Sequence, residues 1–188
     1  SRLEAGNARF VASRAINPHQ DSLRRVEVAA GQKPFAIILT CADSRVAPEI
    51  LFDQGLGDLF VLRNAGNVVD DHVLGSIEYA VEHLGAPLIV VVGHSKCGAV
   101  GATVEGGHAP GHIGAIVRSI EPALKGAEGA DKVDAVVRAH ALLTAKAIAG
   151  SGPILSKAVE EGHVRVLAAR YDITTGRVEF LKSKAPSH

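Results

Sequence analysis

Cys41, His94 and Cys97 are the residues whose types and spacing first suggest chemistry. Two thiols and an imidazole are donors that suit zinc, and three protein donors leave one tetrahedral position open. His94 and Cys97 form an H-x-x-C pair able to chelate from one turn, whereas Cys41 must be brought in by the fold. By count alone, two cysteines also fit buried bystanders or a disulfide, although they are too few for a disulfide scaffold. A lone His94 would read as a loop histidine bonded to a backbone carbonyl. Placement tips the balance towards metal, because all three residues sit at the carboxyl ends of apolar, strand-length runs.

Charge counting then constrains the mechanism. Two thiolates neutralise a divalent ion, so water bound there is less acidified than at a three-histidine site. The surroundings must help, and Asp43 and Arg45 follow Cys41 by two and four residues. Asp43 can accept a hydrogen bond from a metal hydroxide, or it can take the fourth position itself and close the site. A bidentate Arg45 would hold the carboxylate away from the metal. The plain alternative is a surface turn with an incidental ion pair, worth little. Cys97 also precedes Gly98 at a helix start, where positive partial charge favours a thiolate.

Several elements are needed to position these groups. Residues 34–40, 58–64 and 87–93 are apolar on both faces, as strands covered on both sides would be. Further strands are expected at 163–171 and, after the Thr175-Gly176 turn, at 177–181. Helical periodicity marks 70–84 and 131–149, and 2–15 can form another helix or an arm. Residues 105–112 read as a flexible loop. The alternation predicts one α/β domain with a mostly parallel central β-sheet flanked by helices. An N-terminal helical arm over 1–30 precedes a core over 31–188. Ligands of such sheets bind beyond the carboxyl ends of the strands.

The 20 basic and 20 acidic side chains cancel, which gives no pull towards nucleic acid or anionic membrane. The longest apolar run, residues 88–92, is far short of the ~20 needed to span a bilayer. The opening residues carry no signal-peptide core, so a cytoplasmic protein is expected, with a start that can have been trimmed.

At this point the residues resemble a known family. Cys41-Ala-Asp-Ser-Arg-Val46 resembles the C-x-D-S-R-V element of β-class carbonic anhydrases, of the plant-like type. Arg63-Asn-Ala-Gly-Asn67 and Gly93-His-Ser-Lys-Cys-Gly-Ala99 resemble two further signatures, and Glu4-Ala-Gly-Asn-Ala-Arg-Phe10 resembles the family's opening helix. The resemblance implies zinc-dependent reversible hydration of CO2 to bicarbonate and a proton, by hydroxide generated on Zn2+. It implies Cys41, His94 and Cys97 as ligands and Asp43–Arg45 as the catalytic dyad. It further implies a homodimer, often paired into a homotetramer, with substrate pockets at the dimer interface. Gln32, Phe60, Tyr79 and the Gly98 N–H match its substrate-binding positions, and His83 matches a suggested proton shuttle. Without the resemblance, Phe60 and Tyr79 read as core packing and Gln32 as a turn residue. Ile38 stands where one subgroup carries the tryptophan of an inhibitory bicarbonate site.

Three rivals compete with this assignment. A hydrolase of the same fold acting on CS2 or COS would use the same metal chemistry. A phosphate loop at Gly93-His-Ser-Lys-Cys-Gly98 lacks the required Lys-Ser/Thr, because Ala99 and Val100 follow. A structural zinc site would show four protein ligands, with Asp43 as the fourth.

Overall fold

Strands form where apolar residues run without interruption. The computed structural model describes residues 1–182, so residues 183–188 of the expected core lie outside the described residues. Strands β1 (Ala36–Cys41), β2 (Leu59–Asn64), β3 (Leu88–His94), β4 (Arg165–Tyr171) and β5 (Val178–Leu181) make one sheet of order β2-β1-β3-β4-β5. The first four run parallel, and β5 pairs antiparallel to β4. Every residue of the interior strand β1 is buried, as expected of a strand covered on both faces.

Successive side chains point to opposite faces and build two cores. Ile37, Leu39, Ile89 and Val91 meet one layer of helices, α4 (Asp71–Glu82), α7 (Lys132–Ala149) and α8 (Ile154–Glu160). Ile38, Val90 and Val92 meet the other side, where Leu3 of α1 (Arg2–Val11) and Leu51 of α3 (Pro48–Leu51) pack with Phe52. The remaining helices are α2 (Ser22–Val28), α5 (Gly98–Glu105) and α6 (Ile113–Ile120). Among the described residues no helix is long and apolar enough to cross a membrane.

Boundaries move for local reasons. The first helix stops at Val11 rather than at residue 15, and Ser13 follows in the left-handed region at φ 54°. A capping box between Ser1 and Glu4 fixes its start. Inside the expected arm, α2 is a separate helix capped by Asp21, with no buried residue and so no apolar stripe to betray it. Helices α6 and α8 were not anticipated.

The arm is fastened at two polar points. Asn7 donates to the carbonyls of Leu51 and Gly176 and accepts from the Val178 N–H. Asp53 is buried and accepts from Arg9 and from the N–H groups of Ile16 and Asn17. Burial pushes the Asp53 carboxyl up, but those donors outweigh it, and the net shift is downward. A carboxylate depressed in the folded state contributes stability above its unfolded pKa, and loses it as pH falls through the folded value. Asp53→Asn is therefore expected to cost about 2–4 kcal/mol at neutral pH. The deficit should shrink below about pH 4. Denaturant titrations at both pH values check this.

Candidate metal centre

The chain leaves β1 for β2 on one side, then returns to place β3 on the other side of β1. Strand order therefore reverses between β1 and β3, which opens a crevice beyond their carboxyl ends. Cys41 is the last residue of β1 and His94 the last of β3, one residue further in than the apolar runs suggested. Cys97 is the N-cap of α5. The fold thus brings together Cys41 and His94, which stand 53 positions apart in the sequence. Among the described residues, these three buried side chains form the one group with metal-ligand spacing, their donor atoms all within 4.8 Å of one another.

The turn from His94 to Cys97 is pinned from β4. The Ser95 N–H donates to the Tyr171 carbonyl, and Ser95 Oγ accepts from the Ile173 N–H. Lys96 sits at φ 56°, a left-handed conformation that a residue with a side chain adopts at a cost. The tight turn lets residues 94 and 97 share one site.

His94 fits the role of a metal ligand most clearly. Its Nδ1 lies 2.9 Å from the Ser95 carbonyl, which can only accept, so Nδ1 carries the proton. The lone pair is then on Nε2. That atom is buried and has no hydrogen-bond partner among the described residues. Leaving such an acceptor unpaired costs about 1–3 kcal/mol, which a bound cation would offset. A borderline-soft divalent ion fits this set of two sulfurs and one imidazole.

The sulfurs of Cys41 and Cys97 lie within 4.8 Å of each other, close enough for each to govern the other's ionisation. A hydrogen bond from Cys97 pulls the Cys41 thiol well down, against burial and with help from the Gly66 N–H at 3.3 Å. The same pairing and burial push Cys97 up, despite the amides of Val100 and Ala99 at the start of α5.

Asp43 accepts from Arg45 through Nε at 2.9 Å and Nη2 at 2.7 Å, and from the Arg45 N–H at 2.9 Å. This fork holds the carboxyl far below the usual carboxylate range. Asp43 Oδ2 lies 4.0 Å from His94 Nε2. Arg45 also reaches the Lys96 carbonyl at 3.4 Å, tying the two loops together. Arg63 donates to the carbonyls of Cys41 and Asp43. Arg63, Ser95 and the Gly66 N–H received no role from sequence spacing, because each acts through backbone groups.

One chain thus unites Cys41, Asp43, Arg45, His94 and Cys97, with Gly98 opening α5 beside Cys97. It does not bring Gln32, Phe60 and Tyr79 to them. Phe60 pairs with Ile37, four residues before the Asn64–Cys41 pair, or about 13 Å along the strand. Tyr79 lies 6.5 Å from Phe60 between ring centroids, and His83 lies 5.1 Å from Tyr79. Gln32 is exposed and precedes the amino end of β1.

A family model described as carbonic anhydrase matches residues 36–178. A Mycobacterium tuberculosis protein named carbonic anhydrase 2 is 44% identical over 181 residues, spanning 93% of this chain and 87% of its own length. A tetrameric β-carbonic anhydrase from Sordaria macrospora superposes with a TM-score of 0.80 at 25% identity, covering 95% of this chain and 94% of its own. The Coccomyxa β-carbonic anhydrase in complex with acetazolamide gives 0.76 at 30% identity, covering 96% and 85%. With nearly the whole length matched in sequence and fold, the chain belongs to the carbonic anhydrase family, in its β class.

Proposed function

We propose that this carbonic anhydrase holds zinc on Cys41, His94 and Cys97 and uses it in the reversible hydration of CO2 to bicarbonate and a proton. The buried, unpartnered Nε2 of His94, set among two thiols and Asp43, is the observation that carries the proposal. Zinc, when bound, supplies a hydroxide nucleophile near neutral pH. Asp43 is placed to accept a hydrogen bond from that nucleophile and turn its lone pair towards CO2. By gripping both Asp43 oxygens, Arg45 would keep the carboxylate from binding the ion that Cys41, His94 and Cys97 would hold. The Gly98 N–H, at the positive end of α5, would orient a substrate oxygen.

A second copy of the chain would supply what one copy lacks. Tyr79 is 49% exposed for so large a ring, and the aromatic group of Phe60 and Tyr79 lies on and beside the edge strand β2. A homodimer in which Gln32, Phe60 and Tyr79 of one copy line the pocket of the other uses these surfaces, and the Sordaria relative is tetrameric. Specific activity is then expected to fall on dilution into the monomer range. Full activity in a proven monomer would contradict the shared pocket. A reducing compartment such as the cytoplasm keeps both thiols available to metal.

Zinc content and CO2 hydration, read on one sample before and after chelation, test the proposal. About one zinc per chain is expected, with turnover lost on chelation and regained with zinc. Assays with COS and CS2 in parallel are expected to run far below the CO2 rate, and the reverse order would favour a hydrolase.

A further inference from the structure

His140 lies in the middle of α7, far from the metal ligands in sequence, and is 5% exposed. Its Nε2 lies 2.9 Å from the Gly66 carbonyl, so Nε2 carries the proton and donates. Burial pushes its pKa down, so the ring donates as a neutral imidazole at neutral pH. Gly66 belongs to the short turn Ala65–Asn67 that follows β2, and it sits at φ 75°. A Cβ there would come within 2.8 Å of Ile120 and 3.2 Å of Ala99, so the backbone is closely packed. The N–H of this same residue donates to Cys41 Sγ at 3.3 Å. The two bonds use the peptide groups on either side of one Cα. With the torsions of Gly66 held by that close packing, a bond that fixes its carbonyl also restrains the direction of its N–H.

We propose that His140 is a positioning residue for the metal centre: by holding the Gly66 carbonyl, it fixes the turn so that the Gly66 N–H donates to the metal-ligating sulfur of Cys41. This rests on the ligand assignment made above. A donor on a thiolate draws electron density from the sulfur, which tunes the metal. Groups in this position typically change metal affinity or activity by about 10- to 100-fold when removed. Simple packing by His140 would predict a loss of stability without a change at the sulfur.

The test is cobalt substitution, with His140→Phe and His140→Gln beside wild type. Glutamine places an N–H donor near the position of Nε2, and phenylalanine keeps the ring without one. In His140→Phe the sulfur-to-cobalt charge-transfer band is expected to move to lower energy, and zinc affinity to fall about tenfold. His140→Gln should restore both. An unshifted band with wild-type affinity in His140→Phe, or equal losses in both variants, would overturn the role. A second measurement needs no variant. Nitrogen-15 spectra of the zinc protein should show His140 in its Nε2–H form, and in protein loaded with cadmium-113 the Gly66 amide proton should couple to the metal through sulfur. An Nδ1–H tautomer or a missing coupling would overturn the role just as directly. Wild-type protein that bound no zinc would instead overturn the ligand assignment and this role together.

Discussion

Cys97→Ser is expected to lose zinc and turnover together while keeping its fold. Cys97 is buried, stands at the N-cap position of α5 and lies within 4.8 Å of the Cys41 sulfur, so the serine hydroxyl fits the space but cannot supply a second thiolate. One sulfur and one imidazole bind zinc far more weakly than two sulfurs and an imidazole. Roughly eight pKa units separate free water from a hydroxide generated near neutrality, so a loss of at least ~1,000-fold in turnover follows. Metal analysis after gel filtration and stopped-flow hydration check it. Full zinc occupancy with wild-type turnover would remove Cys97 from the site.

Asp43→Ala should behave differently, keeping zinc and losing most turnover, by roughly 100- to 1,000-fold. The carboxylate lies near the ligands, 4.0 Å from His94 Nε2, yet Arg45 grips both of its oxygens. It therefore orients a nucleophile rather than retaining an ion. Because the fork holds its carboxyl far below the usual range, Asp43 stays ionised from about pH 6 to 9. Any change in wild-type rate across that span comes from another group. Arg45→Ala frees the carboxylate to compete for the open metal position, so zinc is kept and turnover falls. Zinc loss from Asp43→Ala would make Asp43 a ligand, as in the structural-zinc alternative.

Much of this was legible in the sequence because the sheet is buried on both faces. Ala36 to Cys41 and Leu88 to His94 carry no polar alternation, so their apolar runs announced strands and their ends announced the site. Residue type and strand-end placement singled out Cys41, His94, Cys97 and the Asp43–Arg45 pair as candidates, and the fold brings them together. What escaped depends on backbone groups and long-range packing. The Gly66 N–H has no side chain to signal its bond to Cys41, and His140 looks like any residue in the middle of an amphipathic helix. Helix α2 escaped because Leu23 and Val26 point outward, 79% and 75% exposed, so no stripe faces the core. The mutual influence of the two thiols could not be read from Cys97 alone, because it depends on the fold bringing Cys41 alongside.

Zinc K-edge X-ray absorption of the purified protein tests the central claim most directly. Two sulfurs at about 2.3 Å and light donors at about 2.0–2.1 Å, four-coordinate in all, are the predicted shell. A shell of nitrogen and oxygen alone, or of four sulfurs, would contradict zinc held by Cys41, His94 and Cys97.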